Sequence, residues 1–467
     1  MFQDFFRKKS ISYIENLEPD ASRHLKRTLT AFDLTCLGVG GIIGVGIFVI
    51  TGVAAAKFAG PGVVLSFVIA MLACIFTALC YAEFSSLLPV AGSAYNYSYA
   101  TLGELFAWII GWDLALEYIV GAIAVSIGWS GYLLNILKAV GITLPVWCSG
   151  APGSAPGAIL NLPAAVIVLL LTALLVVGIK ESARFVTVMV FVKLAAILTF
   201  LAVATSHVQP SNWTPFMPFG FSGVLTGAAI VFFAYIGFDA ISTAAEETIN
   251  PQRNLPIGII ASLVICTVLY IVVSAVLTGV VPYTELNTPA PIAYAMTSLG
   301  FRWGSALVSA GAVTGLTSVL IVLLMGQPRI FFAMSRDGLL WPWASKVHPR
   351  FKTPYRTQIL MGLVVAFFAA FIDIGTAAEL TNIGTLFAFA LVCGGIIVLR
   401  ATEPNLPRAF RCPLVPIVPL LGIGFCAWLM CNLPALTWIR FVVWLGLGLV
   451  IYFGYSRTHS HLATAKS

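Results

Sequence analysis

The stretch GVGGIIGVG, Gly38 to Gly46, places five glycines inside an apolar segment that runs from about 31 to 56. Glycine in a helix interior costs roughly 1 kcal/mol relative to alanine, so the helix is weak at this point. Glycine also frees the backbone dihedrals and allows another group to approach closely. The stretch therefore predicts either a break in the helix or, through the spacing Gly40-x-x-x-Gly44, a close helix contact.

The composition predicts a membrane protein with several spans. Of the 467 residues, 60% are hydrophobic and 9% are charged, whereas soluble domains have roughly 25% charged residues. Many apolar runs have about twenty residues, enough to cross roughly 30 Å of hydrocarbon as a helix. The first thirty residues are polar and basic, so we expect no cleavable signal peptide.

Several functional classes find no support in the residues. The net charge of +7 fits Lys and Arg in cytoplasmic loops, so no nucleic acid partner is expected. The cysteines fall mainly in apolar segments without metal-ligand spacing, and the five histidines are scattered, so we expect neither a metal nor a cofactor. A membrane enzyme would need a nucleophile–base or metal constellation, and a channel would need a continuous polar stripe.

The chain divides into twelve apolar segments, which predicts an all-α polytopic protein with twelve transmembrane helices. A capping-box pattern at Thr30 and Asp33 opens the first. With the N-terminus inside, 20 of the 25 Lys and Arg fall on the inner side and 4 on the outer, so both termini are expected in the cytoplasm. The segments lie at about 31–56, 62–88, 103–135, 161–179, 185–206, 222–245, 256–281, 303–334, 357–374, 377–399, 413–433 and 437–455.

The first and sixth segments are both interrupted near their middles, by GVGGIIGVGIF and VFFAYIGFDAIST. The offset between these interruptions, about 190 residues, also carries the end of the fifth segment to the end of the tenth. Two inverted five-helix repeats that open with broken helices are typical of secondary transporters with a midplane site. The predicted units are an N-terminal arm (1–29), the two repeats (30–206 and 207–400), helices 11 and 12 (401–456) and a cytoplasmic tail (457–467).

The two interruptions predict a site for an α-amino acid. A half-helix that restarts near Gly44 offers free N–H groups and a positive dipole end, which suit a carboxylate. The inner half of the first helix ends on free carbonyls, and the sixth segment frees others, which suit an ammonium group. The paired breaks favour binding over simple helix packing. The predicted contacts are the amides of Gly44, Val45 and Gly46 and the carbonyls of Ile42, Phe233, Ala234 and Ile236.

Long motifs resemble the amino acid–polyamine–organocation transporters. The first-helix stretch AFDLTCLGVGGIIGVGIFVITG and the stretch CYAEFSSLLPVAGSAYNYSYATLGELFAWIIGWDLALEY resemble that superfamily. VFFAYIGFDAISTAAEETINPQRNLPIGI, GQPRIFFAMSRDGLLWPWASKVHPRFKTP and ELTNIGTLFAFALVCGGIIVLR resemble its cationic amino acid transporter branch and bacterial relatives. The resemblance implies the leucine-transporter fold and amino acid uptake across the bacterial plasma membrane, commonly coupled to protons. Val45 departs from the Thr or Ser frequent in relatives, and Val186 and Thr187 stand where relatives often have Asn.

Lys193 lies within a long apolar run. An ionisable side chain at the bilayer centre costs several kcal/mol and is a functional hypothesis by default. The resemblance implies that its ammonium group replaces the cation that sodium-coupled relatives hold between helices 1, 5 and 8, and bonds carbonyls near Gly41 and Ile42. We therefore expect it to couple transport to protons, or else to act as a static strut. Sodium dependence is not expected in either case.

Asp113 and Glu117 lie four residues apart on the third helix and so share a face. Glu117 resembles a glutamate placed beside the substrate site in the cationic branch, where it attracts a cationic side chain or holds part of the sixth helix. Asp239 follows the second break, and we expect it to accept freed N–H groups there. The pocket lining is predicted to include Gly121, Ala122, Phe233 and Leu324.

Glu246 and Glu247 end the sixth segment, where negative charge opposes the helix dipole. We expect them to be paired with Arg253 or with basic residues of the N-terminal arm or the loop after helix 8. Such pairs would form an inner gate, although a solvated charge pair fits the sequence nearly as well. Glu83 and Glu379 are interpreted as packed, paired carboxylates.

The sequence thus predicts a secondary active transporter of L-amino acids, with proton-coupled uptake of small neutral or cationic substrates by alternating access. An amino acid exchanger, a polyamine carrier and a non-transporting amino acid sensor stay open as alternatives. The expected partners are the amino acid, protons and membrane lipid, and whether a small membrane helix also binds is left open.

Overall fold

Helices account for the fold. The computed structural model describes residues 7, 29–88, 93–177, 183–349 and 353–464. Within these ranges, seven helical stretches are long and apolar enough to cross a membrane, and four shorter apolar helices have 10–17 residues. The first stretch, Ala31–Leu87, has 57 residues, which as one helix would far exceed the thickness of a bilayer. It reverses at Gly60, where a φ of 61° is followed by Pro61.

The main helices have the following bounds. In chain order they are α1 (Ala31–Ile42), α2 (Val63–Leu87), α3 (Glu104–Ala139), α4 (Leu162–Val177), α5 (Ala183–Ala204), α6 (Gly220–Val231), α7 (Pro251–Val280), α8 (Arg302–Arg336), α9 (Tyr355–Phe371), α10 (Ile374–Thr402), α11 (Ile417–Cys431) and α12 (Ala435–Ile451).

The first apolar segment is a helix in two parts. Thr30 Oγ1 accepts a hydrogen bond from the amide of Asp33, whose carboxylate accepts from the amide of Thr30 at 2.9 Å, so a capping box opens α1. The helix ends at Ile42, and Ile43 has extended backbone dihedrals. Helical structure, partly π-helical, resumes over 46–59. The break thus falls inside the glycine-rich stretch.

The sixth apolar segment is interrupted in the same way. After α6, a short 3-10 helix, Phe232–Tyr235, leads to an extended residue at Ile236. Gly237 then has a φ of 118°, which L-residues with a side chain rarely adopt. A second 3-10 helix, Asp239–Glu247, completes the segment.

The two interrupted segments run antiparallel and cross at their breaks. At one end, the amide of Ile249 donates to the carbonyl of Leu29 at 2.9 Å. In the middle, a Cβ placed on Gly237 would lie 2.9 Å from the carbonyl carbon of Gly41. Farther along, a Cβ on Gly46 would lie 2.4 Å from the Cα of Ala234. We call the surface that holds Leu29 and Ile249 the near face, and the opposite surface the far face.

Described residues close to both chain ends lie at the near face. The amide of Glu104, which opens α3, donates to the carbonyl of Arg7 at 2.9 Å. The hydroxyl of Ser460 donates to the buried carboxylate of the same Glu104. The amide of His461 bonds the carbonyl of Asp337, just past the end of α8, at 3.1 Å. The last described residues are thus packed against the loops of this face.

The crossing pair is enclosed by the other helices. On one side α3 packs against α8 and α10, and on the other α7 packs against α1 and α2, while α5 packs against α8 and α1. The perimeter exposes large apolar side chains such as Leu170 (62%) and Val450 (71%). Such a surface suits hydrocarbon and is poorly suited to water.

The near ends of α2 and α10 are joined by a buried ion pair. The carboxylate of Glu83, which has no exposed surface, accepts from Arg400 at 2.8 Å and from Arg408 at 3.0 Å. It also accepts from the amide of Cys412 at 2.7 Å. Glu379, by contrast, accepts from a hydroxyl, that of Thr437, at 2.8 Å.

The close crossing generates a prediction on stability. Gly46→Ala should lower the thermal unfolding midpoint of the purified protein, because the new methyl group meets backbone of Ala234 that cannot move aside cheaply. Overpacking of this kind costs about 1–3 kcal/mol. The matched control is Gly394→Ala in α10, where a Cβ has no neighbour within 4 Å. Equal midpoints for the two variants would contradict the close crossing.

Candidate functional site

The end of α1 is held by Lys193, which reaches it from α5. The ammonium group donates to the carbonyls of Gly40 at 2.6 Å and Ile43 at 2.9 Å, and the side chain has no exposed surface. The last carbonyls of a helix lack intrahelical donors and form the negative end of its dipole. A cation is the donor best suited to such an end.

These acceptors differ slightly from the expected carbonyls of Gly41 and Ile42. Gly40 and Ile43 are three residues apart and so lie on one side of the helix, which faces α5. Gly41 is turned instead toward Gly237, at the crossing. The space for the lysine stem comes from Gly315 of α8, where a Cβ would lie 3.1 Å from that of Lys193.

A second side chain, Tyr270 of α7, joins the two breaks. Its hydroxyl lies 2.8 Å from the carbonyl oxygen of Ile42 and 2.7 Å from that of Ala234. Sequence reasoning did not find this residue. The available signal was weak, since a tyrosine hydroxyl in an apolar helix shows only that some partner is needed.

A small cavity lies between the breaks and α3, α8 and α10. Its volume is about 50 Å³, where one buried water needs about 10–15 Å³, so it has room for about four water-sized groups. The lining residues are Gly41, Ile42, Gly44, Val45 and Gly46 from the first break, Phe233, Ile236, Gly237 and Asp239 from the second, Glu117, Tyr118, Gly121 and Val125 from α3, Val319, Val322 and Leu323 from α8, and Thr381 from α10.

Most of the predicted contact residues line this cavity. The three residues of the amide set (Gly44, Val45 and Gly46) do so, as does Ile42. Helical structure resumes only at Gly46, so the first amides of that half have no intrahelical acceptor. The remaining predicted residues in the lining are Phe233, Ile236, Glu117 and Gly121.

Three predicted residues lie outside the lining. On α3 the cavity faces Glu117, Gly121 and Val125, spaced four apart, so Ala122 is rotated into the fully buried helix packing. Leu324 is likewise turned away, and its carbonyl accepts from Gln358 of α9 at 3.0 Å. Ala234 packs against Gly46. Ala122 and Leu324 were expected as lining and Ala234 as a carbonyl contact, and none of the three borders this cavity.

Other lining residues were missed. Val125 follows from the spacing of four along α3, which extends the face of Glu117 by two turns. Tyr118 borders the same face. The three residues of α8 and Thr381 of α10 belong to long apolar helices without a local marker, so only the three-dimensional packing brings them to the cavity.

Two carboxylic acids share the cavity. Glu117 lies near Thr385 on α10, whose hydroxyl donates its hydrogen to the carbonyl of Thr381 at 3.0 Å. Asp239, expected only to support the second break, lines the cavity as well. Asp113 has an exposed fraction of 1% and is absent from the lining, although it shares a face of α3 with Glu117.

The charges of the expected inner gate lie away from the cavity. Arg253 is exposed in the first turn of α7 at the near face. The side chains of Glu246 and Glu247 lie outside those that the structure describes, so their pairing stays a prediction. Across the described ranges, no cluster of three or more His, Cys, Asp or Glu is arranged to hold a metal ion.

Aromatic rings pack on the near-face side of the cavity. The ring of Tyr81 on α2 makes edge contacts with Phe238, Phe389 and Tyr97, at centroid distances of 5.8, 5.6 and 6.4 Å. Phe238 directly precedes Asp239, and Phe389 lies one turn beyond Thr385 on α10. We call these four rings the aromatic layer. In this conformation it separates the cavity from the near face.

Comparison with known proteins assigns the chain to a family. The sequence model of the amino acid permease family matches residues 29–459. The methylthioribose transporter of Bacillus subtilis is 52% identical over 457 residues, which cover 98% of this chain and 99% of the relative. The branched-chain amino acid permease BcaP of the same organism is 53% identical over 460 residues, 98% of each chain.

More distant relatives agree. Human cationic amino acid transporter 4 is 32% identical over 562 positions, which cover 93% of this chain and 88% of the relative. These proteins are membrane transporters, and the long motifs of the sequence predict the same membership. The chain belongs to the amino acid permease family of the amino acid–polyamine–organocation superfamily, and it is a membrane transporter of amino acids rather than an enzyme.

Proposed function

We propose that this protein imports small neutral L-amino acids together with protons, by alternating access. The observation that carries the proposal is the cavity itself. Backbone groups of opposite polarity border it at two helix breaks, and most of its side-chain wall is aliphatic. Such a site binds the carboxylate and the ammonium group, which all amino acids share, through backbone groups. The side chains of the wall then determine which substrate side chain fits.

The carboxylate of the substrate would bind the amides of Gly44, Val45 and Gly46. They open a half-helix, where free N–H groups and the positive dipole end stabilise an anion. The ammonium group would donate to carbonyls at the second break, those of Phe233 and Ile236. This arrangement uses no side chain, so the change at Val45 from the frequent Thr or Ser leaves it intact.

The remaining wall favours a neutral, apolar side chain. The wall includes Val125, Val319, Val322 and Leu323. An apolar substrate side chain buried against them would be stabilised by about 25 cal/mol per Å² of apolar surface removed from water. The limited volume favours the smallest side chains, and longer ones require a larger movement of the wall. Relatives named as branched-chain amino acid permeases are consistent with an aliphatic substrate.

A cationic substrate is the alternative, because Glu117 lines the cavity. Several relatives are named cationic amino acid transporters, and a carboxylate in the cavity could pair with a lysine or arginine side chain. Against this, the aliphatic wall would leave a long charged side chain without further partners.

The membrane arrangement is part of the proposal. We infer twelve crossings: two in the stretch Ala31–Leu87, six in the other long helices and four in the shorter apolar helices. The antiparallel crossing of the two broken segments supports inverted repeats and the leucine-transporter fold. The Lys and Arg bias supports a near face in the cytoplasm of a bacterial plasma membrane.

Lys193 is the proposed coupling residue. Its ammonium group occupies the position between α1, α5 and α8 that the family resemblance assigns to a cation in sodium-coupled members. Loss of its proton would leave the carbonyls of Gly40 and Ile43 without a charged donor and so weaken the break that forms the substrate site. Protonation and substrate binding would then favour the same conformation.

The inner gate would consist of the aromatic layer and the charges at the near face. Tyr81, Phe238 and Phe389 must separate before a substrate can leave the cavity toward that face. Pairing of Glu246 and Glu247 with Arg253, or with basic residues of the N-terminal arm, would hold the gate closed.

Uptake into proteoliposomes tests the substrate and the driving force. Radiolabelled alanine and leucine should accumulate when an inward proton gradient is imposed in the absence of sodium, whereas arginine should not. The same vesicles without a gradient, and with a protonophore added, are the controls. Preferential accumulation of arginine would overturn the neutral substrate and restore the role of Glu117 as a selector of cations.

Other outcomes separate the alternatives. Flux that occurs only against preloaded amino acid would identify an exchanger, and binding without flux would identify a sensor. Unlabelled methylthioribose should not compete with alanine, because it has neither the carboxylate nor the ammonium group that the two breaks are proposed to bind. Strong competition by methylthioribose would contradict the zwitterion site.

Gly44→Leu tests the carboxylate contact. The side chain would enter the cavity beside Val319 and cover the amides, so the Kd for alanine should rise by at least about tenfold, equivalent to about 1.4 kcal/mol. Gly44→Ala is the matched control, because its Cβ would lie 3.5 Å from the Val319 side chain, an ordinary contact. Binding measured on purified protein should be weakened mainly in the leucine variant. Wild-type affinity in Gly44→Leu would rule out this anion site.

Lys193→Met tests proton coupling. The variant keeps the apolar stem but removes the donor to Gly40 and Ile43, so accumulation driven by the proton gradient should be lost while counterflow continues at a reduced rate. Lys138→Met, at the exposed far end of α3, is the control and should accumulate alanine normally. If the Lys193 variant still follows the gradient, the lysine is only a strut.

A further inference from the structure

Asp113 is a buried acid that the proposed mechanism does not use. It lies on α3, one helical turn closer to the near face than Glu117, with an exposed fraction of 1%. Neither of its carboxyl oxygens has a hydrogen-bond partner within the described ranges. Buried polar side chains are paired in the large majority of cases, so this carboxyl group requires an explanation.

The carboxyl group lies directly against the backbone of α10. A Cβ on Gly384 would be 2.7 Å from Asp113 Oδ1, so a side chain at this position would push against the carboxyl group. The adjacent residue, Trp112, stacks on Trp444 of α12 and on Phe331 of α8. With an exposed fraction of 1%, the carboxyl group is enclosed where α3 meets α10.

No cation compensates this acid among the described residues. The ionisable group that acts on it is Glu117, another acid. The charged groups on the elements packed against α3 are bonded elsewhere or lie at the surface. They are Glu379 (to Thr437), Arg400 (to Glu83), the exposed Arg302, Arg329, Arg336 and Arg356, and the partly exposed Arg440. The tyrosines on these elements are Tyr95 (to Asp337), Tyr99 (to Glu104), Tyr355 (to Arg356) and the buried Tyr97.

An ionised carboxylate in such surroundings is far more costly than a neutral acid, which lacks only hydrogen bonds. We propose that Asp113 is a proton-binding site, neutral while Gly384 covers it, and that it releases its proton at the near face when α10 moves away. On release the carboxyl O–H bond breaks, the proton passes to water, and the carboxylate becomes hydrated. The neutral state of Asp113 in this conformation does not depend on the proposed function, whereas the release step rests on the proposed proton-coupled transport.

The seam between α3 and α10 connects this site with the cavity. Gly121 lies beside Thr381, and Glu117 lies one turn closer to the near face, near Thr385. Asp113 and Gly384 lie in the following turn of α3. Each step spans about one helical turn, roughly 5.4 Å, so a single water bridges successive groups once the helices separate. The seam therefore supplies carboxyl groups at intervals that suit proton movement from the cavity to the near face.

The first test detects the proton directly, on the purified full-length protein near neutral pH. Infrared difference spectra between wild type and Asp113→Asn should contain the carbonyl band of a protonated carboxyl group, which the variant loses. Dicyclohexylcarbodiimide, which reacts with protonated carboxyl groups in apolar surroundings, should label Asp113, as located by mass spectrometry. Glu285→Gln, at an exposed acid, is the control and should keep the band. A carboxylate band at Asp113 in the wild type, without labelling, would overturn the proposal.

A second variant tests the role of the cover. Gly384→Ala puts a methyl group against Asp113 Oδ1, so the carboxyl group or α10 must shift, and the protonated band and the labelling should both decrease. If Asp113 stays protonated in this variant, contact with Gly384 is not what keeps it neutral.

Transport separates this inference from the proposed function. In proteoliposomes Asp113→Asn, which mimics the neutral acid, should keep counterflow and lose gradient-driven accumulation. Normal accumulation would overturn the release step. If the wild type itself shows no amino acid flux, the proposed function fails, while the infrared result still decides whether Asp113 holds a proton.

Discussion

The structure depends on a supply of hydrogen-bond donors to helix carbonyls that end in the middle of the protein. In hydrocarbon an unpaired backbone group costs several kcal/mol, so irregular backbone is tolerated only where protein or a cavity satisfies it. Here Lys193 supplies the carbonyls of Gly40 and Ile43, and Tyr270 lies at those of Ile42 and Ala234. Side chains thus occupy the carbonyl side of the first break, and the amide side of the same break is left open to a ligand.

A second constraint is the close approach of two backbones. The broken segments cross with Gly41 against Gly237 and Gly46 against Ala234, contacts that exclude a side chain at the glycine positions. The glycine-rich stretch thus serves packing and binding at the same time, although sequence reasoning treated the two as competing interpretations. Because the segments touch at the crossing, little volume is left for a substrate, and the cavity is correspondingly small.

The sequence was sufficient for features with a local chemical marker. Glycines identified the first break, a charge in an apolar run identified Lys193, and the long motifs identified the family. Features set by helix rotation could not be read in this way. Ala122 and Leu324 differ from their lining neighbours Gly121 and Leu323 by one position, about 100° of rotation, and nothing local fixes which of them faces inward.

Long-range contacts were also out of reach. Tyr270 reaches carbonyls 228 and 36 positions away, and the cover over Asp113 comes from a glycine on another helix. A single sequence carries no record of such pairings. The acid and the lysine could be recognised as unusual, but their surroundings required the structure.

The geometry at Tyr270 has one more consequence. A phenol has a single hydrogen, yet two carbonyl oxygens, one from each broken segment, lie within 2.8 Å of this hydroxyl. At any instant one of them receives the hydrogen and the other goes without. The two breaks therefore compete for the same hydrogen. A change in which carbonyl accepts the hydrogen alters the hydrogen bonding of both broken segments at once.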